Sequence, residues 1–251
     1  MQRLAERSYL EVIIAGGCSG AIVSLDGRAW VARNNDFIGP GLWGYAAIRE
    51  VAGRIPTITF GQEGSVFTST GINRERLWLH YNYLPTLPGE ERRRGDAVKG
   101  DAGTEERGLP CYAFMVEALE TCRSLEDVQA LLGRIPRTGA MLLFAVDGKT
   151  DDYALYECTC SDFCKREATE GWIVGANHYV AHPQAAQRAG PEPRGPLSSG
   201  RRHRRLEELV GGLAAQGGAA SPAQALTRIL ADDSIEARNG PTVTVYANVA
   251  C

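Results

Sequence analysis

The sequence predicts an α+β fold built from antiparallel β-sheets. Three features carry this prediction: a hairpin signal near the N-terminus, strand signals that follow one another directly, and helical patterns that come in pairs between groups of strands. Parallel βαβ units would instead alternate single strands with single helices. The order strands, helices, strands, helices, strand therefore favours antiparallel sheets covered by helices.

The hairpin signal consists of two apolar runs joined by Asp26-Gly27, which suits a two-residue type I′ turn. The first run begins at Cys18, and the second leads into Arg33 and Asp36. Antiparallel pairing should bring Cys18 close to both, because residues before the turn lie beside residues after it. A nearby cation favours the thiolate, so this is a typical setting for a nucleophilic cysteine. The alternative is a small core residue, the commoner role of a cysteine in an apolar strand.

Strand signals recur through the rest of the chain as runs rich in aliphatic, β-branched and aromatic residues. They are interrupted by residues 86–108, which are charged, rich in glycine and without apolar periodicity. We expect a solvated, mobile loop there. The strands expected after the hairpin are 43–48, 56–60, 70–73, 76–85, 139–148, 152–158, 171–179 and 242–249.

Two pairs of helices are expected between these strands. After Leu109 the period of apolar residues changes from two to about 3.6, and Ser124 is a typical N-cap for the second helix. A linker rich in Pro, Gly and Ala at 183–197 precedes the third helix, and Ser221 caps the fourth. The apolar residues at helical spacing are Tyr112, Met115, Val116 and Leu119 in the first helix and Leu206, Leu209 and Val210 in the third.

The bulk composition limits the classes of function. The 251 residues, 44% of them hydrophobic, suffice for a sizeable core. The chain has 27 basic and 30 acidic residues, and its net charge of −3 favours neither a nucleic-acid nor an anionic-membrane partner. Seven cysteines over a long chain do not predict a disulfide scaffold, and no run is long enough for a membrane span. We therefore expect a cytoplasmic protein.

Cys158, Cys160 and Cys164 form the one cluster that could suggest a metal site. Their C-x-C-x₃-C spacing lacks a clear fourth ligand. We expect no metal and no other cofactor.

The residues around Cys18 carry a resemblance to a known family. Gly-Cys-Ser, the Asp-Gly turn and Ala-Arg-Asn-Asn-Asp-Phe are similar to the cysteine N-terminal-nucleophile hydrolases of the isopenicillin N acyltransferase (acyl-coenzyme A:6-aminopenicillanic acid acyltransferase-like) family. That family is related to choloylglycine hydrolase and acid ceramidase. The resemblance spans Gly17 to Val249 and implies a four-layer αββα sandwich of antiparallel sheets, the N-terminal-nucleophile hydrolase fold.

The resemblance also implies self-cleavage between Gly17 and Cys18. Residues 1–17 are then a propeptide, and 18–251 are a single catalytic domain. Cys18 supplies the thiol nucleophile and, through its new α-amino group, the base. An α-amine has a pKa of about 7.7–8.0 and accepts a proton near neutral pH, whereas a backbone amide does not.

The family motifs assign the other site residues. By this resemblance Asp36 orients the α-amine, and Arg33 stabilises the thiolate. Gly-Ile-Asn, followed by a strand ending in Asn-Tyr-Leu-Pro, assigns Asn82 to the oxyanion, and Ala-Asn-His assigns Asn177 to it.

The motif Ser-x-x-Arg-x-x-Arg-Leu assigns the second active-site arginine, which with Arg33 stabilises thiolate and substrate charge. It matches Ser199 and Arg202, although the register of Arg201 is close. The resemblance gives no role to His178 or His182, which are the alternative bases if the α-amine is not used.

These assignments predict an acyltransferase or amidase in which Cys18 attacks the amide or thioester carbonyl of a small molecule. Water or an amine then resolves the acyl-enzyme. Natural-product metabolism is one expected setting for such an enzyme. The acyl donor can be a thioester of coenzyme A or of a carrier protein, and the acceptor can be an amine. The sequence also leaves open whether the chain forms a homo-oligomer. The alternatives are a peptidase and a non-catalytic binding protein that retains the fold.

Overall fold

The structure is a computed structural model of the 251-residue chain. Of the predicted propeptide, only Gly17 lies among the residues that it describes. These residues are 17–37, 40–65, 68–84, 98–99, 105–106, 108–183, 198–217, 220–238 and 243–251. The chain divides into two compact units: Met1–Gly44, Thr169–His178 and Glu192–Cys251 form the first, and Tyr45–Ala168 and Tyr179–Pro191 form the second. That residues 18–251 act as a single catalytic domain stays a prediction.

Most described elements fall close to the predicted ones, but β7, β8 and β11 were not predicted, and the strand predicted over 171–179 ends at Gly175. The strands are β1 (Cys18–Leu25), β2 (Arg28–Phe37), β3 (Trp43–Arg49), β4 (Thr57–Gln62), β5 (Thr70–Asn73), β6 (Leu77–Leu84), β7 (Val98–Lys99), β8 (Glu105–Glu106), β9 (Ala140–Asp147), β10 (Asp152–Cys158), β11 (Phe163–Arg166), β12 (Trp172–Gly175) and β13 (Val243–Ala250). The helices are α1 (Cys111–Thr121), α2 (Leu125–Arg134), α3 (Ser199–Ala215) and α4 (Pro222–Leu230).

Strands β1 and β2 form the predicted hairpin. Leu25 pairs with Arg28, so the connection has two residues. Asp26 and Gly27 have φ angles of 53° and 73°, the two positive values that a type I′ turn requires. This turn fixes the register of the two strands and thereby the neighbours of Cys18.

The first unit is a four-stranded antiparallel sheet in the order β12-β1-β2-β13. Helix α3 packs on β1 and β12, and α4 packs on β2 and β13. On α3, Leu206, Val210 and Leu213 recur at helical spacing and enter the core of this unit. The same helix buries Arg202 and His203 near its N-terminus. The helix therefore carries polar side chains into the sheet beside its apolar face.

The second unit is a seven-stranded antiparallel sheet in the order β11-β10-β9-β6-β5-β4-β3. Helix α1 packs on β5 and β6, and α2 packs on β9 and β10. All residues of the central strand β9 are buried, and its sequence is almost continuously apolar for that reason. Ser124 caps α2 as predicted, because its hydroxyl accepts a hydrogen bond from the backbone N–H of Asp127 at 3.3 Å.

The buried face of α1 is rotated from the predicted one. Met115 and Leu119 are buried as predicted, but Tyr112 and Val116 are only half-buried. Phe114 and Ala118 are buried in their place. The buried arc is centred between positions 115 and 118, so 112 and 116 lie at its margin.

Two predicted loops lie mostly outside the described residues. Within 86–108 the structure describes β7, β8 and Gly108, and β7 pairs with β8 in antiparallel fashion. No strand was predicted in this solvated, mobile loop, but backbone hydrogen bonds can form a short ladder without apolar periodicity. Apart from Pro183, the predicted linker 183–197 is not described.

The predicted α+β class with antiparallel sheets is confirmed. Over the described ranges, no helix is both long and apolar enough to cross a membrane. All seven cysteines are free thiols.

Candidate active site

Cys18 is the first residue of β1 and lies directly opposite Asn35 of β2. Its residue surface is only 7% exposed. Its backbone N–H donates a hydrogen bond to the side-chain oxygen Oδ1 of Asn177 at 2.8 Å. The candidate nucleophile is thus held at both its backbone and its side chain by residues of the first unit.

Arg33 and Asn35 surround the thiol on one side of the hairpin. Alternate residues of a strand share a face, so both side chains lie on the face of Cys18, as the register predicts. Arg33 Nη2 is 3.9 Å from Cys18 Sγ, and Asn35 Oδ1 is 3.7 Å from it. Arg33 Nη2 also donates to Asn35 Oδ1 at 2.7 Å. The guanidinium is therefore placed to stabilise negative charge that develops on sulfur during a reaction.

Arg202 holds the backbone around Cys18. Its Nη1 donates to the carbonyl oxygen of Cys18 and, at 3.0 Å, to the hydroxyl of Ser19. Its Nη2 donates to Asn177 Oδ1 at 2.7 Å. Arg202 is buried, whereas Arg201 is exposed. The structure therefore places Arg202, and not Arg201, beside the candidate nucleophile.

Asp36 lies against the residue that precedes Cys18. Its backbone N–H donates to the carbonyl oxygen of Gly17 at 2.8 Å, and its Oδ1 accepts from the hydroxyl of Thr244 at 2.7 Å. Burial raises the pKa of Asp36 from 3.8 to about 6, although Arg202, Thr244 and Arg33 oppose this rise. Its carboxyl group can therefore gain or lose a proton near neutral pH.

Gly17 fits closely between Asp36 and Arg202. A Cβ atom on Gly17 would lie 2.9 Å from Asp36 Oδ2 and 3.3 Å from Arg202 Nη2. The first distance is shorter than real Cβ contacts, so a side chain there would have to displace the carboxylate. The fit explains why a glycine precedes Cys18.

Asn177 is held by a residue for which the sequence predicted no role. Its backbone N–H donates to Ser199 Oγ at 2.7 Å, and the same Oγ lies 2.6 Å from His178 Nδ1. Asn177 Oδ1 receives hydrogen bonds from Cys18 and Arg202, so the remaining polar atom of its amide, Nδ2, is a donor. A donor of this kind suits an oxyanion.

The first unit thus brings together five of the six residues predicted to be catalytic: Cys18, Asp36, Arg33, Asn177 and Arg202. Asn82 belongs to β6 of the second unit, where it is fully buried opposite Leu142, and its role stays a prediction.

Each of the two alternative bases has a polar neighbour other than Cys18. His178 Nδ1 interacts with Ser199, and His182 belongs to the second unit, with its Nε2 3.7 Å from Asp162 Oδ2.

In the cysteine cluster, Cys158 is fully buried, and burial raises the pKa of its thiol to about 12. The described residues hold no group of three His, Cys, Asp or Glu side chains arranged for a metal.

Sequence reasoning missed Asn35, Ser199 and Thr244 as members of the site. The signal for Asn35 was present, since a two-residue turn places it directly opposite Cys18. Ser199 stood in the motif that assigned Arg202, but its partner Asn177 is distant in sequence. Thr244 meets Asp36 only through the pairing of β13 with β2.

Comparison with solved structures shows the fold. The chain resembles an N-acylethanolamine-hydrolyzing acid amidase ortholog from Caenorhabditis elegans, with a TM-score of 0.63, 12% identity and 92% of each chain covered. It also resembles a variant of conjugated bile acid hydrolase from Clostridium perfringens, with a TM-score of 0.62, 14% identity and coverage of 93% of this chain and 86% of that one. Penicillin V acylase from Agrobacterium tumefaciens gives a TM-score of 0.56, 13% identity and coverage of 92% and 79%.

At these identities the likeness concerns the fold, and it confirms the predicted N-terminal-nucleophile hydrolase fold.

A search of curated protein sequences finds no match. The profile of one family, acyl-coenzyme A:6-aminopenicillanic acid acyl-transferase, matches residues 24–232. The match begins after Cys18 and covers most of both units. The chain therefore belongs to the acyl-coenzyme A:6-aminopenicillanic acid acyltransferase family, a member of the amide-hydrolase and acyltransferase class of enzymes.

Proposed function

We propose that the chain is a self-processing cysteine acyltransferase or amidase in which Cys18 is the nucleophile. One observation carries the proposal: Cys18 is contacted at its backbone nitrogen by Asn177, at its carbonyl by Arg202 and near its sulfur by Arg33. A cysteine with a purely packing role needs none of these charged and amide partners.

In the proposed reaction, Cys18 Sγ attacks the carbonyl carbon of an amide or thioester while the thiol proton moves to the α-amino group of the same residue. Negative charge develops on the carbonyl oxygen, and the Asn177 amide donates to it. The α-ammonium then returns the proton to the leaving amine or thiol as the carbon–heteroatom bond breaks. Water or an amine attacks the resulting thioester and releases the sulfur as a thiol.

The α-amino group has to be created before this cycle can start. In the uncut chain the Cys18 nitrogen is an amide, which does not act as a base near neutral pH. We propose that Cys18 Sγ first attacks the Gly17 carbonyl, whose oxygen accepts the Asp36 N–H at 2.8 Å. The peptide bond breaks, the nitrogen takes up a proton, and water hydrolyses the thioester. Once Gly17 has left, the Asp36 carboxylate adjoins the new amine and orients it.

Intact-mass measurement on freshly purified protein tests self-cleavage. Wild type should yield a species that begins at Cys18 and a 17-residue peptide, whereas Cys18→Ala should stay full length. Cys164→Ala, which changes a half-buried cysteine of β11, is the matched control and should cleave as wild type does. Gly17→Ala should slow cleavage, because its Cβ atom would meet the Asp36 carboxylate.

If wild type were fully active while uncut at Gly17, the proposed mechanism would be wrong. His178 or His182 would then become the leading candidate for the base. A thiol-directed acylating probe gives an independent check, because it should label Cys18 in the cut enzyme and fail to do so in a non-catalytic binding protein.

For the substrate we propose a small-molecule amide or thioester. The solved relatives are named as an amidase, a hydrolase and an acylase, which supports this class. Coenzyme A or carrier-protein thioesters, and a role in natural-product metabolism, stay predictions. Product analysis with and without an added amine separates transfer from hydrolysis: an acylated amine shows transfer, and free acid alone shows hydrolysis or a peptidase.

A further inference from the structure

Ser199 connects the loop that carries Asn177 to the first turn of α3. We propose that Ser199 is a positioning residue that holds the Asn177 amide in its catalytic orientation, an inference that rests on the proposed function. The observation behind it is that one hydroxyl contacts two consecutive residues: Oγ accepts the Asn177 N–H at 2.7 Å and lies 2.6 Å from His178 Nδ1.

Asn177 needs such support because it lies beyond the sheet. Strand β12 ends at Gly175, two residues before Asn177. The Asn177 N–H donates to a hydroxyl of another element, Ser199 Oγ, and this hydrogen bond satisfies a backbone donor. Ser199 thereby restrains the backbone from which the Asn177 amide extends.

The same helical turn also restrains the Asn177 side chain. Ser199 and Arg202 are three residues apart on α3 and so lie on neighbouring positions of one face. Ser199 holds the Asn177 backbone, while Arg202 Nη2 donates to Asn177 Oδ1 at 2.7 Å. Two attachment points on one rigid turn fix both the position and the rotation of the amide. Oδ1 then accepts the Cys18 N–H, so Nδ2 is the donor end of the amide that we propose for the oxyanion.

The Ser199 hydroxyl is itself fixed on its other side. Besides accepting from Asn177, Oγ shares a hydrogen bond with His178 Nδ1, in which the donor is set by the tautomer of the ring. The His178 ring lies edge-on to His203 with ring centroids 5.0 Å apart. His203 Nε2 is 3.3 Å from Glu207 Oε1 on the same helix. The Ser199 hydroxyl therefore contacts a histidine ring that is itself packed against a side chain of α3.

The experiment compares Ser199→Ala with Ser199→Thr and with Ser198→Ala. Ser198 precedes α3 but makes no side-chain capping hydrogen bond, so it is the matched control. Two rates are measured: self-cleavage, which needs no added substrate, and the burst of p-nitrophenol released from p-nitrophenyl butyrate by the cut enzyme. Thermal unfolding of each variant shows that the fold is retained.

We expect Ser199→Ala to slow acylation about 10- to 100-fold, because misplacing a reacting group by about 1 Å is costly. The concentration of ester at half-saturation should not change, since the donor acts in the transition state. Ser199→Thr keeps the hydroxyl and should recover most of the rate. Ser198→Ala should match wild type.

A double-mutant cycle identifies the route of the effect. In an Asn177→Ala background, Ser199→Ala should cause no further loss, because the amide it positions is gone. A full additional loss there, an equal loss in Ser198→Ala, or a wild-type rate in Ser199→Ala would overturn the inference while leaving Cys18 as nucleophile. Labelling of Ser199 by a serine-directed fluorophosphonate would also overturn it. Absence of Cys18-dependent acylation in wild type would overturn the proposed function and this inference together.

Discussion

Two buried arginines, one in each unit, show how differently the fold uses the same side chain. Arg33 in β2 is 0% exposed, and Arg137 after α2 is 2% exposed. Each guanidinium carbon lies 5.8 Å from the centre of an aromatic ring, Tyr246 for Arg33 and Phe114 for Arg137. Burial and ring contact therefore do not distinguish them.

Arg33 and Arg137 differ in their hydrogen-bond partners. Arg137 donates to backbone carbonyls from two sides, the end of α2 and the turn between β10 and β11, and so ties these segments together. Its acceptors are the carbonyl oxygens of Thr159 at 3.0 Å, Leu132 at 2.9 Å, Ile135 at 2.9 Å and Asp162 at 3.1 Å. Arg33 instead donates to the Asn35 side chain and faces the Cys18 thiol. We therefore expect Arg137 to stabilise the fold through backbone carbonyls, and Arg33 to act on the proposed nucleophile.

The largest effect on stability is expected for Arg137→Met. Methionine fills part of the volume but leaves buried carbonyls short of a donor, so the free energy of unfolding should fall by about 3–5 kcal/mol. Urea unfolding measures this loss. The activity per folded molecule should stay near wild type, and Arg134→Met, an exposed change on α2, should alter neither quantity. Loss of activity in folded Arg137→Met would break the comparison.

Arg33→Met should show the reverse pattern. The acylation rate should fall by about 10²–10³-fold, because a charge aimed at the reacting sulfur is lost. The free energy of unfolding should change by no more than about 1 kcal/mol, since the variant also removes the cost of burying a cation. Arg28→Met, an exposed change on the same strand, is the control. A variant that unfolds as readily as Arg137→Met would assign Arg33 to the fold instead.

Asp36→Asn extends the comparison to a buried anion. Because the folded-state pKa of about 6 lies above the ordinary 3.8, the folded chain binds this proton more tightly than the unfolded chain. The contribution of Asp36 to stability is thus fully present below about pH 3.8 and falls as the pH rises to about 6. At pH 7.5 the asparagine variant should be more stable than the carboxylate form by about 3 kcal/mol, and the gap should close toward pH 4.

This difference is best measured by urea unfolding in a Cys18→Ala background, where the chain is expected to stay uncut. In the active background Asp36→Asn should lose activity, because a neutral amide holds the α-amine less well. A stability gap that is independent of pH, or that widens toward pH 4, would show that burial does not dominate at Asp36.

The sequence predicts contacts of the fold and the candidate site better when they are local in sequence than when they join distant segments. Asp26-Gly27 encodes the turn within two residues, so the hairpin and the proximity of Cys18 to Arg33 were predicted correctly. Arg202 could have been chosen over Arg201, because Arg202 lies four residues before the buried Leu206 and shares its face. Sequence patterns nevertheless treat neighbouring arginines alike until the apolar face is identified.

The remaining features depend on packing between segments that are far apart in sequence. Ser199 meets Asn177 only when α3 docks on β12, and Thr244 meets Asp36 only when β13 pairs with β2. No sequence pattern predicts a role for Arg137, because its partners are backbone carbonyls and no side-chain motif signals them.

The smallest effect is expected at Tyr246, the ring beneath Arg33. Tyr246 lies opposite Asn35 in the pairing of β13 with β2, so its ring supports the guanidinium from the side away from β1. A cation over an aromatic face gains about 0.5–2 kcal/mol. Tyr246→Leu should therefore loosen Arg33 and slow acylation about fivefold, which corresponds to about 1 kcal/mol. Tyr246→Phe keeps the ring and should retain the wild-type rate, so a loss in this variant equal to that in Tyr246→Leu would assign the effect to the hydroxyl. Phe114→Leu, beneath Arg137, should lower stability and leave the acylation rate unchanged, because that arginine stabilises backbone and not a reacting sulfur.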